Sequence, residues 1–447
     1  MRVRWVLLIT IFLAFVADLG APYEEMFAPF AWAHYLLFEA LPDKIRGIDH
    51  ITALCLILAA RGPDGRGPRV APVRTALLLS AGTTVLWFVY GIARSGGAWQ
   101  ASWQTYLMMS GVLFAFAIAT AFRTPEHFAL LWKVLLWAAA YRAAMCCLFY
   151  ALYIHTMRVN PPPEYLTSHD DTVLWVVAML ILVLRAIETK SGAIRAKSFL
   201  FFAFLGLAVL LNQRRIAWVS LAMGLVVLLA LMPASRQKRR AMRVVYAIAP
   251  VALLYVVVGW GRPERVFKPL QSFATVSTQE DTSTKARNVE NLGLIATANA
   301  NNMMLGTGWG HPYIEVSNKY TIARFFPLWQ YIPHNSILAL LAYTGVLGFS
   351  GYWLIYPTAM FFNARMARLA KTPLARQVGL VGATQLVVCA NQFYGDMGIT
   401  YGKCVYILAM GYAIALRLPL SAGVWPAPTR SRPQPAPPRA APGHTAV

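Results

Sequence analysis

Residues 199–232 read FLFFAFLGLAVLLNQRRIAWVSLAMGLVVLLALM, two apolar runs on either side of Asn212-Gln213-Arg214-Arg215. As one straight helix these 34 residues would reach about 51 Å, too far for a single crossing of a hydrocarbon core roughly 30 Å thick. As two helices they are short, and the flanking charges decide between the two readings. A single crossing would put Arg236, Lys238, Arg239, Arg240 and Arg243 outside, against the bias of every other loop. Two helices keep that cluster inside and set Arg214 and Arg215 at the outer membrane surface or slightly below it. Charges at that depth are costly and face a water-filled cavity or a partner.

Working outward, further apolar runs lie near residues 5–19, 48–60, 75–93, 104–122, 128–153, 172–187, 244–260, 334–362, 377–393 and 404–419. Hydrophobic residues make up 58% of the chain and charged residues 13%, against about 25% charged in soluble domains. The reading is an all-α polytopic membrane protein of about twelve transmembrane helices, with both termini cytoplasmic. Loops 61–74, 123–127, 188–198, 233–243 and 363–376 are then inside and hold the arginines and lysines, while 94–103 and 154–170 carry one arginine each. The divisions are 1–260 (spans one to nine), 261–333 (a large periplasmic loop with short helices, serving as a catalytic lid), 334–419 (spans ten to twelve) and 420–447 (a disordered Pro-rich cytoplasmic tail). Several runs fall short of about 20 residues, so they must borrow flanking polar positions. The formal charge of +22 follows from the inside loops and calls for no nucleic acid. Cys55, Cys146, Cys147, Cys389 and Cys404 all sit in apolar runs and read as packing residues. Arg2 and Arg4 precede an apolar run without a small-residue cleavage site, so the first helix is read as retained.

The residues able to do chemistry cluster on the outer side. A guanidinium stays charged and pairs bidentately with phosphate oxygens, which suits Arg214 and Arg215 to a lipid-linked phosphate or pyrophosphate. Thr282-Ser283-Thr284 offers helix caps, so a helix is expected from about Lys285 to Met304, with Arg287, Asn291 and Leu294 on one face. Arg287 is either a ligand-binding or an ordinary exposed arginine. Gly306-Thr307-Gly308-Trp309-Gly310 permits a tight turn with backbone close to a ligand or another helix, and His311 stands beside it. His334, in Pro333-His334-Asn335-Ser336, opens an apolar helix, where the positive helix end favours a neutral imidazole able to accept a proton. A capping or interfacial histidine is the plain alternative. Arg142, inside the fifth span, and Asp396, on the outer side, are substrate-binding candidates or members of structural ion pairs. Neither a His-x-x-x-His pair, a cysteine cluster nor paired carboxylates accompany them, so no metal site is expected.

This pattern resembles the O-antigen ligase and Wzy-type O-antigen polymerase family. The carrying residues are Arg215-Ile216-Ala217-Trp218, Arg287, Gly306 to Gly310, and His334-Asn335 followed by Gly345-Val346-Leu347-Gly348. They span residues 199–362; before that the likeness is topological. Arg214, which doubles the arginine, and His311 depart from the pattern, leaving open which arginine holds the phosphate. The resemblance implies glycosyl transfer on the periplasmic face of the bacterial inner membrane. The donor would be an undecaprenyl-pyrophosphate-linked oligosaccharide, used with no cofactor or metal. It implies that His334, Arg215 and Arg287 are catalytic, with Asn335, Gly308 and Trp309 contacting substrate; Arg214, His311, Asp396 and Arg142 are added as substrate-binding candidates on their own chemistry. Polymerisation of O-antigen, capsule or exopolysaccharide is favoured over ligation to lipid A core, and a chain-length regulator (a copolymerase) is a further candidate partner. A lipid-linked oligosaccharide flippase is the competing class. It predicts polar residues scattered at mid-membrane and an internal repeat, whereas the charges here gather at one face.

Overall fold

The computed structural model describes residues 2–17, 29–39, 46–62, 67–156, 166–260, 282–317 and 328–426, with the single positions 262, 264, 267, 270 and 319. The described chain is helical. Its first half comprises α1 (Arg2–Val16), α2 (Ala31–Phe38), α3 (Gly47–Arg61), α4 (Ala71–Ala93), α5 (Ala98–Ala121), α6 (Pro125–Phe149) and α7 (Asp171–Glu188). A π turn, Tyr150–Thr156, extends α6. Then come α8 (Gly192–Leu211), α9 (Arg215–Leu231), α10 (Arg236–Gly259) and α11 (Thr282–Ala300). The remainder is α12 (Ser336–Trp353), α13 (Ile355–Leu369), α14 (Pro373–Gly395), a 3-10 turn at Gly398–Thr400 and α15 (Gly402–Ser421).

The run 199–232 is indeed two helices. α8 ends at Leu211, α9 starts at Arg215, and Gln213 takes a left-handed φ of 52° to turn the chain. Most other helices begin several residues before their apolar run, taking in polar flanks such as Arg195 and Lys197 in α8, whose charged tips can reach the interface.

Among the described residues, seven helical stretches are long and apolar enough to cross a membrane: 71–93, 98–121, 125–152, 192–211, 236–259, 336–369 and 402–421. Val3–Val16 and Arg215–Leu231 are apolar but shorter. Of the twelve expected spans, α3, α7 and α14 fall outside both groups. α3 is short and carries Asp49, His50 and Arg61; α7 carries Asp171, Arg185 and Glu188 near its ends, and α14 carries polar residues that lie inside the bundle. Asp171, Thr384, Gln385 and Gln392 are all buried. A helix sheathed by other helices need not be apolar all round. α15 is the central helix, buried almost throughout from Lys403 to Pro419. The outward faces are apolar instead: Phe199, Leu200, Val226 and Leu253 are each more than 60% exposed. An apolar outer surface, with the polar groups that occur in the spans turned into a largely apolar interior, suits a bilayer.

The expected lid, 261–333, contains α11, which packs on α12; residues 271–281 and 320–327 lie outside the described residues. At the C-terminus ordered chain runs past 420. Arg365 Nε donates to the Val424 carbonyl at 3.0 Å, and Trp425 packs edge-on against Phe362. The rest of the expected tail, 427–447, lies outside the described residues.

α12 is broken at Gly345 (φ 59°, ψ −172°), and the glycine-rich turn repairs the break. An intact helix would pair Val346 N–H with Ala342 O and Leu347 N–H with Tyr343 O. Here those amides donate to Met303 O (3.0 Å) and Met304 O (3.1 Å). The freed carbonyls accept from Thr307 N–H (3.3 Å) and Gly308 N–H (2.8 Å). Four backbone groups thus exchange partners between loop and helix, and none is left unpaired in an apolar setting, where each would be costly. The exchange fixes the loop on the membrane helix that follows His334.

Candidate active site

Two clusters form at one end of the bundle. The first joins the segment before α7, the α8–α9 turn and the α14–α15 connection. Buried Asn212 accepts the amides of Leu166 (2.9 Å) and Thr167 (3.1 Å) through Oδ1, which fastens the α8–α9 turn to the segment carrying His169. Arg214 Nη2 donates to His169 Nε2 at 2.6 Å, and His169 Nδ1 lies 2.9 Å from Asp396 Oδ2. A guanidinium only donates, so His169 accepts at Nε2 and carries its proton on Nδ1, directed at Asp396. The chain Asp396–His169–Arg214 therefore fixes the direction of Arg214. Arg215, the first residue of α9, is half-buried beside it.

The second cluster joins α11 to the start of α12. Glu290 takes both groups His334 offers: the backbone amide donates to Oε1 at 2.6 Å and ring Nδ1 to Oε2 at 2.9 Å. The ring is thereby held with its proton on Nδ1, and Nε2 is left as the acceptor. His334 does not lie in the first helical turn, where the sequence reading put it. Asn335 is the cap, its Oδ1 accepting the Leu338 amide at 3.1 Å, so His334 precedes the helix and Pro333 lies further out. Arg287, one turn before Glu290, lines the same cavity of about 210 Å³ with Glu290, Tyr313, Glu315, Trp329 and His334. Its Nε is buried and has no hydrogen-bond partner among the described residues. Tyr313 is pushed up from its ordinary pKa, first by burial and then by the charges of Glu290 and Glu315.

Asp396 links the two clusters. Burial alone would raise its pKa. The His169 hydrogen bond and the Arg287 charge, with His169 and His334 adding theirs once acid has protonated them, outweigh burial and bring it down to about 2. Arg287 and His334 therefore lie near enough to the first cluster for Asp396 to feel them. A carboxylate with a depressed folded pKa stabilises the fold fully above its unfolded value near 4 and loses that contribution as pH falls toward 2. The contribution is on the order of 2 kcal/mol. Asp396→Asn is accordingly expected to lower the thermal midpoint at pH 5–7 and to lose most of its deficit near pH 2; equal midpoints for both proteins at pH 6 would contradict this.

The remaining sequence candidates fall elsewhere. Arg142 is 2% exposed and holds Asp171 through Nε (3.0 Å) and Nη2 (2.6 Å). Lys403 completes the group, its Nζ 2.9 Å from Asp171 Oδ1 and 3.3 Å from Asp170 Oδ1. This buried network ties α6, α7 and α15 together beneath His169. Gly308, Trp309 and His311 pack on the α4–α5 hairpin. A Cβ on Gly91 would meet the Trp309 carbonyl at 1.9 Å, Gly308 has φ 85°, and His311 Nε2 approaches the Gly91 carbonyl at 3.2 Å. Gly310 N–H donates to Gln104 Oε1 at 2.6 Å. Their surroundings are thus the fold's own backbone.

Glu290 and His169 escaped the sequence reading. Glu290 lies three residues after Arg287 on one helix face, which was a usable signal. His169, in a polar loop, gave none.

Arg214, Arg287, Glu290 and His334 all fall within one recognisable segment. Residues 200–353 match the O-antigen ligase family model. No curated protein matches the chain. The matched segment covers roughly a third of the sequence and runs from α8 to the end of α12. It includes both arginine positions and the Glu290–His334 pair, whereas His169 and Asp396 lie outside it. The match supports a membrane enzyme of the O-antigen ligase or polymerase type, acting on lipid-linked oligosaccharides.

Proposed function

We propose that the chain is a glycosyltransferase of the bacterial inner membrane, with twelve spans, cytoplasmic termini and a site on the periplasmic face. In this reading the donor is a glycan on undecaprenyl pyrophosphate, and the product is a lengthened O-antigen, capsule or exopolysaccharide chain. One observation carries it: within the segment that matches the O-antigen ligase model, a carboxylate-held imidazole and an arginine whose buried Nε has no partner among the described residues line one cavity. The gathering of 166–170, 212–214 and 396–401 at the end opposite the basic loops supports the orientation.

The acceptor hydroxyl oxygen forms a bond to the anomeric carbon as the carbon–oxygen bond to pyrophosphate breaks. The bonding pair leaves on the pyrophosphate, and the hydroxyl proton passes to His334 Nε2. Pyrophosphate needs no strong general acid. It needs its growing charge steadied, which Arg287, Arg214 and Arg215 do by donating toward it. The His169–Asp396 pair keeps Arg214 in direction. Tyr313 and Trp329, with ring centroids 5.4 Å apart, offer an aromatic wall for a sugar ring. At about 210 Å³ the cavity is smaller than the roughly 300–1,000 Å³ of drug-sized ligand sites, which suits the reacting sugar alone. The partners are then the lipid-linked oligosaccharide and the bilayer, with a chain-length regulator as a further candidate.

Transfer of a finished glycan to lipid A core is the second reading, which fits the family match equally. Reconstitution of the purified protein with a lipid-linked repeat unit, with and without lipid A core, separates the readings. Extension on the carrier lipid is the expected result. Transfer only to the core would make the chain a ligase, and translocation of the carrier without bond formation would make it a flippase.

A further inference from the structure

α10 opens against its own electrostatics. Its first two turns hold Arg236, Lys238, Arg239, Arg240 and Arg243, and no acidic residue stands in the first turn. A helix N-terminus carries a partial positive charge, so these cations repel it as well as one another. The Ser235 hydroxyl caps the Lys238 amide, and Lys238 Nζ donates to the Met232 carbonyl at 2.9 Å. Arg236, Arg239, Arg240 and Arg243 have no carboxylate partner among the described residues. From the α7–α8 turn and the start of α8, Lys190 and Arg195 face the same cavity, which has a volume of about 1020 Å³. Glu188 is the one carboxylate among the described residues lining it, and it accepts a hydrogen bond from Gln377. Topology accounts for basic residues on this side of the protein, but not for their convergence from two segments on one concavity.

The same cavity has an apolar side. Ile187, Met242 and Tyr246 line it, and Tyr246 is 67% exposed. α10 stands beside the bundle with α7 as its main helix contact, and only Gly259 is buried along its length. Val244, Ile248, Val251 and Leu254 continue the exposed apolar surface away from the cations. Converging cations at a helix N-terminus bind an anion, and an adjoining apolar track binds acyl chains.

We propose that this cavity holds the phosphodiester headgroup of an anionic phospholipid from the adjacent leaflet, with its acyl chains lying along α10. The bound phosphate offsets the mutual repulsion of the arginines and fastens α10 to the α7–α8 turn. The inference rests on the membrane-spanning reading of the chain but not on which glycosyl transfer it performs.

The test is a lipid titration of the purified full-length protein in detergent, read by native mass spectrometry and thermal midpoint. The probes are cardiolipin, phosphatidylglycerol, phosphatidylcholine and inorganic phosphate. The two anionic lipids should be retained and should raise the midpoint, while phosphatidylcholine and millimolar inorganic phosphate should do neither. The combined variant Arg195→Gln, Arg239→Gln, Arg243→Gln should bind the anionic lipids roughly a hundredfold more weakly, a factor of about five per arginine. Should that variant fail to fold, the wild-type comparison still decides, because equal retention of phosphatidylcholine and phosphatidylglycerol overturns the proposal. So does a folded variant that binds like wild type. Inorganic phosphate matching the lipids at equal concentration would mean a free-anion site and would equally overturn it.

Discussion

His334→Ala is expected to lower the rate of glycosyl transfer by about 10²–10⁴-fold, the range a positioned general base supplies, with a much smaller effect on KM. The imidazole is placed to take a proton, because Glu290 engages both its Nδ1 and its backbone amide. Glu290→Gln sharpens the expectation. The backbone amide of His334 still needs an acceptor, so the new side chain turns its oxygen there and its NH₂ toward Nδ1. That moves the ring proton to Nε2, which then donates where it should accept. The variant should therefore fold and bind donor, yet lose about a hundredfold or more in turnover. Glu290→Asp, with a shorter reach to the same partners, should recover part of the rate. A Glu290→Gln enzyme with wild-type turnover would leave His334 as an ordinary loop histidine.

Arg287→Ala is the second large effect. Its Nε is buried without a hydrogen-bond partner among the described residues, on the wall of the cavity that His334 shares. An unsatisfied buried donor costs about 1–3 kcal/mol, and a phosphate oxygen would satisfy it. Removing one donor aimed at developing charge typically lowers turnover about 10²–10³-fold. Arg287→Lys should restore little, because an ammonium cannot reproduce the planar fork. If the arginine instead served only to hold α11 in place, the alanine variant would be less stable and the lysine variant close to wild type in rate. Thermal midpoints and single-turnover rates of the two variants distinguish these outcomes.

Much of this arrangement was readable from residues alone where the signal was local. The break at Asn212–Arg214 followed from a length too great for one crossing and from the basic cluster beyond it. The helix carrying Arg287 was expected near Lys285–Met304 and runs Thr282–Ala300. What escaped depends on distant partners. The glycine-rich turn reads equally well as a ligand loop or a packing turn. Gly91 and the break at Gly345 make it packing, and both lie far from it in sequence. Arg142 looked available for substrate until Asp171 and Lys403 closed around it. α7 and α14 stand in the expected runs 172–187 and 377–393, but those runs did not show that Asp171, Thr384, Gln385 and Gln392 would be buried among other helices.

The most direct measurement follows both products of one turnover. With purified protein in nanodiscs and a defined undecaprenyl-pyrophosphate-linked repeat, released undecaprenyl pyrophosphate is counted against new glycosidic bonds. The Glu290–His334 and Arg287 site predicts one released carrier per bond for wild type, and loss of both signals together in His334→Ala and Arg287→Ala. Full release and bond formation in both variants, with the proteins folded, would contradict it.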